Sequence, residues 1–377
     1  MPTYARPGKR SIDPRKFVVE HGPAALGEYL RVHASYVPQV RPLRALSKSL
    51  RRSSAILLEG IRGSGKTALG EAMGEAFNLT VYYLQCDDGI SKADILGEWD
   101  RTSQNQHVAQ QLTAGVKLKQ AQGEQWTKDF FEPGEVLEGF IEASRSLIPP
   151  VIIIDEIDKL LRRTANYLLQ VLARGYANVA RLKPDSRLGV LPEKFESGDY
   201  KSHLPIIILT SNDMFDGVDT TIRSRCRYAY IDYPTPAEEA GILHTRVPSA
   251  PFELVLQTVK MMHAIRGRGD IVEKPGIRES REFLETLVDE RVHRIDANVI
   301  VENVDCLVKT KNDVINLDNG ADNVARTLDL RHEEIDAYVV RAFSLSGATI
   351  PPAYMRYLVP QQGYLKQAPT FGGSNRR

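Results

Sequence analysis

Gly60-Ile61-Arg62-Gly63-Ser64-Gly65-Lys66-Thr67 is the stretch that most narrows what this chain can fold into. Its glycines let the backbone curl until successive N–H groups point inward. Just upstream, Ala55-Ile56-Leu57-Leu58 reads as a strand. Downstream, Leu69, Ala72, Met73 and Ala76 continue as a helix. A strand, a glycine-rich turn and a helix N-terminus in this order form a ready anion site. The spacing G-x-x-x-x-G-K-[ST] assigns roles within it. Gly60, Arg62, Gly63, Ser64, Gly65 and Ala68 line a cradle for the phosphates of ATP. Lys66 supplies a point charge for the β- and γ-phosphates, and Thr67 a hydroxyl for Mg²⁺.

A second motif completes the chemistry. Val151-Ile152-Ile153-Ile154-Asp155-Glu156 is an apolar strand that ends in two acids. Ligands of parallel sheets bind beyond the carboxyl ends of the strands. Asp155 is therefore expected beside the cradle, holding Mg²⁺, and Glu156 is expected to polarise the attacking water. Further strands are expected at Thr80–Leu84, Ile206–Leu209 and Tyr228–Ile231. Several are apolar on both faces, as a covered parallel strand requires. Helical stretches between them point to a doubly wound α/β sheet. After Pro234 the texture is helical, with helices expected at Phe252–Ala264, Glu279–Glu290 and Ala297–Lys309. At the other end, a short helix is expected near Ala24–Val32, followed by one at Leu43–Leu50.

Composition sets outer limits. The 377 residues hold 49 Lys+Arg against 48 Asp+Glu, a formal charge of +1. That balance argues against a dedicated nucleic-acid coat. The basic run Arg6–Lys16 and the Arg51-Arg52 pair accordingly read as solvated faces. Cys86, Cys226 and Cys306 are far apart and form neither a disulfide framework nor a CxxC knuckle. No signal-like or membrane-spanning apolar run is visible, so a cytoplasmic protein is expected.

The two motifs, followed by Ile206-Ile207-Ile208-Leu209-Thr210-Ser211-Asn212 and Ile222-Arg223-Ser224-Arg225-Cys226, resemble an AAA+ ATPase. Finer features are similar to the MoxR branch. These are Leu57-Leu58-Glu59-Gly60, Asp129-Phe130-Phe131-Glu132-Pro133-Gly134, Tyr230-Ile231-Asp232-Tyr233-Pro234 and Lys274-Pro275-Gly276-Ile277-Arg278. The resemblance covers about residues 36–318. It implies an AAA+ P-loop domain with a five-stranded parallel sheet, followed by a small helical lid. The implied division is an arm at 1–35, the α/β nucleotide-binding domain at 36–234, the lid at 235–318 and an extension at 319–377.

The resemblance also implies roles. Asn212 matches the sensor that places the attacking water, since its amide both donates and accepts. An arginine reaching the next subunit's site is matched by Arg225, with Arg223 as close competitor. Arg278 matches the second sensor on the lid, and Tyr36 and Val37 the segment near the adenine. The implied activity is Mg²⁺-dependent ATP hydrolysis by a hexameric ring that remodels a protein client, such as a von Willebrand A-type partner. A nucleotide-gated switch with little turnover is the alternative, and a nucleic-acid motor is a third. Two polar stretches, Gly97–Lys128 and Arg181–Ser202, depart from the core pattern; they read either as surface loops or, as the resemblance implies, as insertions facing a pore or client.

Overall fold

The structure is a computed structural model and describes residues 10–196, 199–212 and 218–328. Of the extension expected at 319–377, residues 329–377 lie outside them. Five strands form the central sheet: β1 (Ala55–Gly60), β2 (Val81–Gln85), β3 (Val151–Asp155), β4 (Ile206–Asn212) and β5 (Cys226–Ile231). Their order is β2-β3-β4-β1-β5, all parallel. All five strands expected from the sequence are thus present, in one sheet. The described residues divide into two compact units, the first drawn from 10–234 together with 276–278 and the second from 235–275 and 279–328.

Strand alternation explains the layering of the first unit. Side chains on a strand point to opposite faces with period two. Val151 and Ile153 therefore join one apolar core, while Ile152 and Ile154 join the other. Ile206 and Ile208 separate from Ile207 and Leu209 in the same way. Both faces are covered, which is why these strands are apolar throughout.

Three helices build one layer: α1 (Pro14–Ala34), α2 (Val40–Arg52) and α3 (Lys66–Phe77). The short helix expected at Ala24–Val32 is the second half of α1, which breaks at Gly22-Pro23, with Gly22 at φ 82°. Proline removes a helical donor and the preceding glycine absorbs the turn. Arg15, taken from sequence as part of a solvated basic run, is buried instead. Its guanidinium donates to the carbonyls of Ser202, Leu204 and Pro205 at 2.5, 2.5 and 3.2 Å. Burial lowers its pKa to about 10.

The insertions form ordered structure. Glu98–Trp99 pairs antiparallel with Phe131–Glu132, and helices span Arg101–Thr113 and Leu118–Glu124. A second ribbon joins Tyr176–Asn178 to Arg187–Gly189. The two insertions meet at Trp126, whose ring carries the guanidinium of Arg181 at 4.7 Å and whose carbonyl accepts from Lys183 N at 2.9 Å.

The second unit is helical, with its own core built on Leu254, Met261, Met262, Phe283, Leu284 and Leu317. Beneath that core, Glu239 is fully buried and accepts two bonds from Arg266 at 2.6 and 2.9 Å and one from Ser280 at 2.6 Å. The helix expected at Ala297–Lys309 is two, Ala297–Glu302 and Val304–Leu307, separated at Asn303. Asn303 turns its own side chain back to the Val299 carbonyl at 3.1 Å, a local bond that competes with helix continuation. Among the described residues, no helix is long and apolar enough to cross a membrane.

Candidate nucleotide site

Parallel register sets the site. Gly60 stands level with Asn212 across β1 and β4, and Gln85 with Asp155 across β2 and β3. β2, β3 and β4 thus deliver Gln85, Asp155 and Asn212 to the same edge of the sheet, where β1 ends at Gly60. On its other side Gly60 abuts β5. A Cβ at Gly60, at φ +156°, would stand 2.0 Å from the Ile231 carbonyl oxygen, so glycine is required there.

Beyond Gly60 the chain curls through Gly63 and Gly65 at φ 75° and 89°, and α3 begins at Lys66. The first N–H groups of α3 have no partner within the helix and carry its positive dipole end. Lys66 is buried and donates to the carbonyls of Gly60 at 2.9 Å and Ile61 at 2.7 Å. Burial lowers its pKa, and the nearby Asp155 opposes the shift. Ser64 is also buried, whereas Arg62 is exposed. Tyr36 leans on this loop, its hydroxyl 3.4 Å from the Gly65 carbonyl, and Val37 is buried beside it in sequence.

Asp155 is surrounded by hydroxyl donors. Thr67 Oγ1 donates to its Oδ1 at 2.7 Å and Tyr83 to its Oδ2 at 2.6 Å. Thr210 also donates to Oδ1. Burial and the bond to Asp155 push the Tyr83 phenol above its ordinary pKa. Glu156 follows in the left-handed region at φ 53°, a costly conformation for a side chain with a Cβ. Its backbone N–H is tied to Thr210 Oγ1 at 3.1 Å. Its carboxylate is held on both oxygens: Asn212 donates to Oε1 at 3.0 Å, while Gln85 and Lys159 donate to Oε2 at 2.8 and 2.5 Å. The Lys159 bond, ahead of the Asn212 bond, keeps Glu156 below the ordinary glutamate pKa. Asn212 N–H in turn donates to Asp158 at 3.1 Å.

The donor set suits Mg²⁺. Hard oxygen ligands, one carboxylate and one hydroxyl, touch each other at the mouth of the phosphate loop. Mg²⁺ is usually held by one or two such groups plus phosphates and waters, not by a protein cage. Among the described residues, no cluster of three or more His, Cys, Asp or Glu ligands is found.

The two arginine candidates part company. Arg223 is paired within its own chain, its guanidinium reaching both oxygens of the buried Glu59, one of them at 3.0 Å. Arg225 is exposed, and its Nη1 donates to the Thr221 carbonyl at 3.0 Å. Arg278 is exposed near the start of the helix Ile277–Asp289, in the 276–278 segment that groups with the first unit. Within that unit Ile277 N–H donates to the Gly63 carbonyl at 3.3 Å.

Sequence reasoning gave no role here to Tyr83, Gln85 and Thr210, and took Asp158 and Lys159 for surface residues at a helix start, whereas they hold Asn212 and Glu156. Tyr83 and Gln85 lie two apart on β2 and so share a face. That spacing was readable, but not which strand would neighbour β3.

Residues 55–217 match the family model for an AAA domain of the dynein-related subfamily. That stretch contains the phosphate loop, the Asp155-Glu156 strand end and Asn212, and the sheet unit has the AAA domain fold. Among solved structures, the chain is similar to the crystal structure of the FIGL-1 AAA domain in complex with ADP. The likeness runs over 92% of this chain and 93% of that one, at 14% identity and a TM-score of 0.37. The comparison with curated proteins finds no match.

Proposed function

We propose that this chain is an Mg²⁺-dependent ATPase of MoxR type, acting as a ring that remodels a protein partner. One observation carries the reading. The phosphate loop, the Asp155–Thr67 pair and the Glu156–Asn212 pair converge on one edge of the sheet. In this reading residues 36–234 form the nucleotide-binding domain and 235–318 the lid, flanked by extensions at 1–35 and 319–377.

The loop and the first turn of α3 bind the phosphates through backbone N–H groups, and Lys66 adds a charge. Thr67 and Asp155 would hold Mg²⁺, which would supply neutralisation of the charge on the phosphates. Glu156, ionised at neutral pH, orients the attacking water and accepts its proton. Asn212 fixes the Glu156 carboxylate and has a carbonyl left to accept from the same water. Lys159 and Gln85 restrain the other carboxylate oxygen, so Glu156 works from a fixed position.

The engagement of Arg223 by Glu59 favours Arg225 as the arginine that serves the neighbouring subunit. The MoxR assignment, the ring and the client rest on the motifs from Leu57-Leu58-Glu59-Gly60 to Lys274-Pro275-Gly276-Ile277-Arg278. Binding of a fluorescent ATP analogue tests the nucleotide site. We expect tight Mg²⁺-dependent binding by the natural chain and a loss of at least tenfold in Lys66→Ala. Equal binding by both proteins would remove the site from the loop.

A further inference from the structure

The sequence places basic residues on α2 at a revealing spacing. Leu43, Leu46 and Leu50 pack into the core, which turns the opposite face of the helix outward. That face carries Arg41, Arg44, Lys48, Arg51 and Arg52, all exposed. The positions recur at steps of three and four and so stack along one side of the helix. At 1.5 Å per residue the row is about 16 Å long.

This row forms one wall of a cleft of about 930 Å³. The opposite wall comes from the start of β5 and its approach, with Arg225 and Arg227, and from Lys201. Six arginines and two lysines line the cleft, and no acidic residue does. Among the described residues none of these eight cations forms an ion pair. Arg227 Nε is buried with no hydrogen-bond partner among them. Like charges this close repel one another, and such an arrangement raises the local concentration of anions.

We propose that this cleft binds the phosphate backbone of a nucleic acid. Three features favour that occupant over an acidic protein. Protein interfaces concentrate apolar and aromatic groups at their centre and deplete charge there, whereas here the centre is cationic. The cations are mainly arginines, whose planar forks match phosphate oxygens. They also form a row, and a duplex offers one charge per about 1.7 Å of its axis. Binding is through phosphates and is therefore independent of base sequence. The near-neutral total charge of the chain conceals this concentration of one sign. The inference goes beyond the proposed ATPase, whose phosphate loop and acids use the opposite flank of β1, toward β4 and β3; only Arg225 is common to both.

The test uses the full chain and a fluorescein-labelled DNA duplex, with its single strand as a second probe, titrated across a salt series. Arg225 is left in place because the proposed ATPase uses it. The variant is Arg44→Gln with Lys48→Gln. We expect the natural chain to bind one or both probes with a log–log salt dependence. The variant should bind at least tenfold more weakly, with a slope reduced by about two. The charge-preserving variant Arg44→Lys with Lys48→Arg should retain binding, and basal ATP turnover should be unchanged in both. No binding at low salt would overturn the proposal, as would equal binding by the neutralised variant. Loss of oligomeric state in the variant with oligonucleotide binding intact would assign the cleft to a second copy of the chain, and would overturn it as well.

Discussion

Arg223 and Arg225 lie two residues apart, yet substitution should separate them completely. Arg223 grips both oxygens of Glu59, whose side chain is 8% exposed while that of Arg223 is 37% exposed. Arg223→Ala leaves a buried carboxylate without its counter-charge. Breaking a fully buried pair on one side costs about 3–5 kcal/mol. Solvent around the Arg223 guanidinium screens part of this. The expected cost is therefore about 1.5–3 kcal/mol, the range for hydrogen bonds to a charged group. Adding Glu59→Gln removes the stranded charge and should recover part of the loss, a coupling that a double-mutant cycle measures. Arg225→Ala removes an exposed side chain and should shift stability by no more than about 0.5 kcal/mol. Its effect should fall on ATP turnover of the assembled protein, by about 10³-fold or more if it serves as the stabilising arginine. Urea denaturation followed by tryptophan fluorescence reads the first unit, where Trp99 and Trp126 both lie. Turnover is measured on the same preparations. The reasoning fails if Arg223→Ala unfolds at the same urea concentration as the natural chain. It fails equally if Arg225→Ala loses stability and keeps its turnover.

Other substitutions probe other parts of the account. Tyr83→Phe and Gln85→Leu each remove one hydrogen bond to an ionised carboxylate, about 1.5–3 kcal/mol. Each should slow turnover by about tenfold or more, with nucleotide affinity little changed, as steady-state kinetics and equilibrium binding would show. In the helical unit, Arg266→Ala leaves Glu239 with only Ser280 and His263 beside it, and should cost about 3 kcal/mol in chemical denaturation, the lower end of the range for breaking a buried pair. Burial pushes the Glu239 carboxyl up, but the contacts with His263, Arg266 and Ser280 outweigh it and hold its pKa below the ordinary value. A folded pKa below the unfolded value of about 4.3 gives stability that is present above that value and lost as pH falls through the folded one. Thermal unfolding of the natural chain should therefore weaken below about pH 4, and Arg266→Ala should flatten that dependence.

Much of the sheet was readable because its signals are local. A covered parallel strand must be apolar on both faces, and Val151–Ile154 and Ile206–Leu209 are. The phosphate loop announces itself through glycines whose positive φ the backbone requires, and Asp155 and Glu156 through the strand end they occupy. What stayed hidden depends on which elements become neighbours. Arg223 meets Glu59 only because β5 lies beside β1, although 164 residues separate the pair. Tyr83 and Gln85 reach the two acids only because β2 is the edge strand next to β3. Arg15 looked like part of a polar basic run until the 202–205 carbonyls closed over it. The Arg51-Arg52 pair read as an ordinary solvated face because Arg225, Arg227 and Lys201 come to it from distant segments. The break at Asn303 depends on a side chain choosing a local backbone partner, which periodicity does not register.

The account stands or falls on whether the Glu156 carboxylate drives hydrolysis. The direct measurement is steady-state ATP turnover with Mg²⁺, made in parallel with ATP binding, for the natural chain and Glu156→Gln. The amide keeps the shape of the side chain but neither carries the charge nor accepts the proton of the attacking water. Turnover should fall by about 10²–10⁴-fold, while ATP affinity is unchanged or tighter. Undiminished turnover in Glu156→Gln, or a natural chain that binds ATP and never hydrolyses it, would contradict the account.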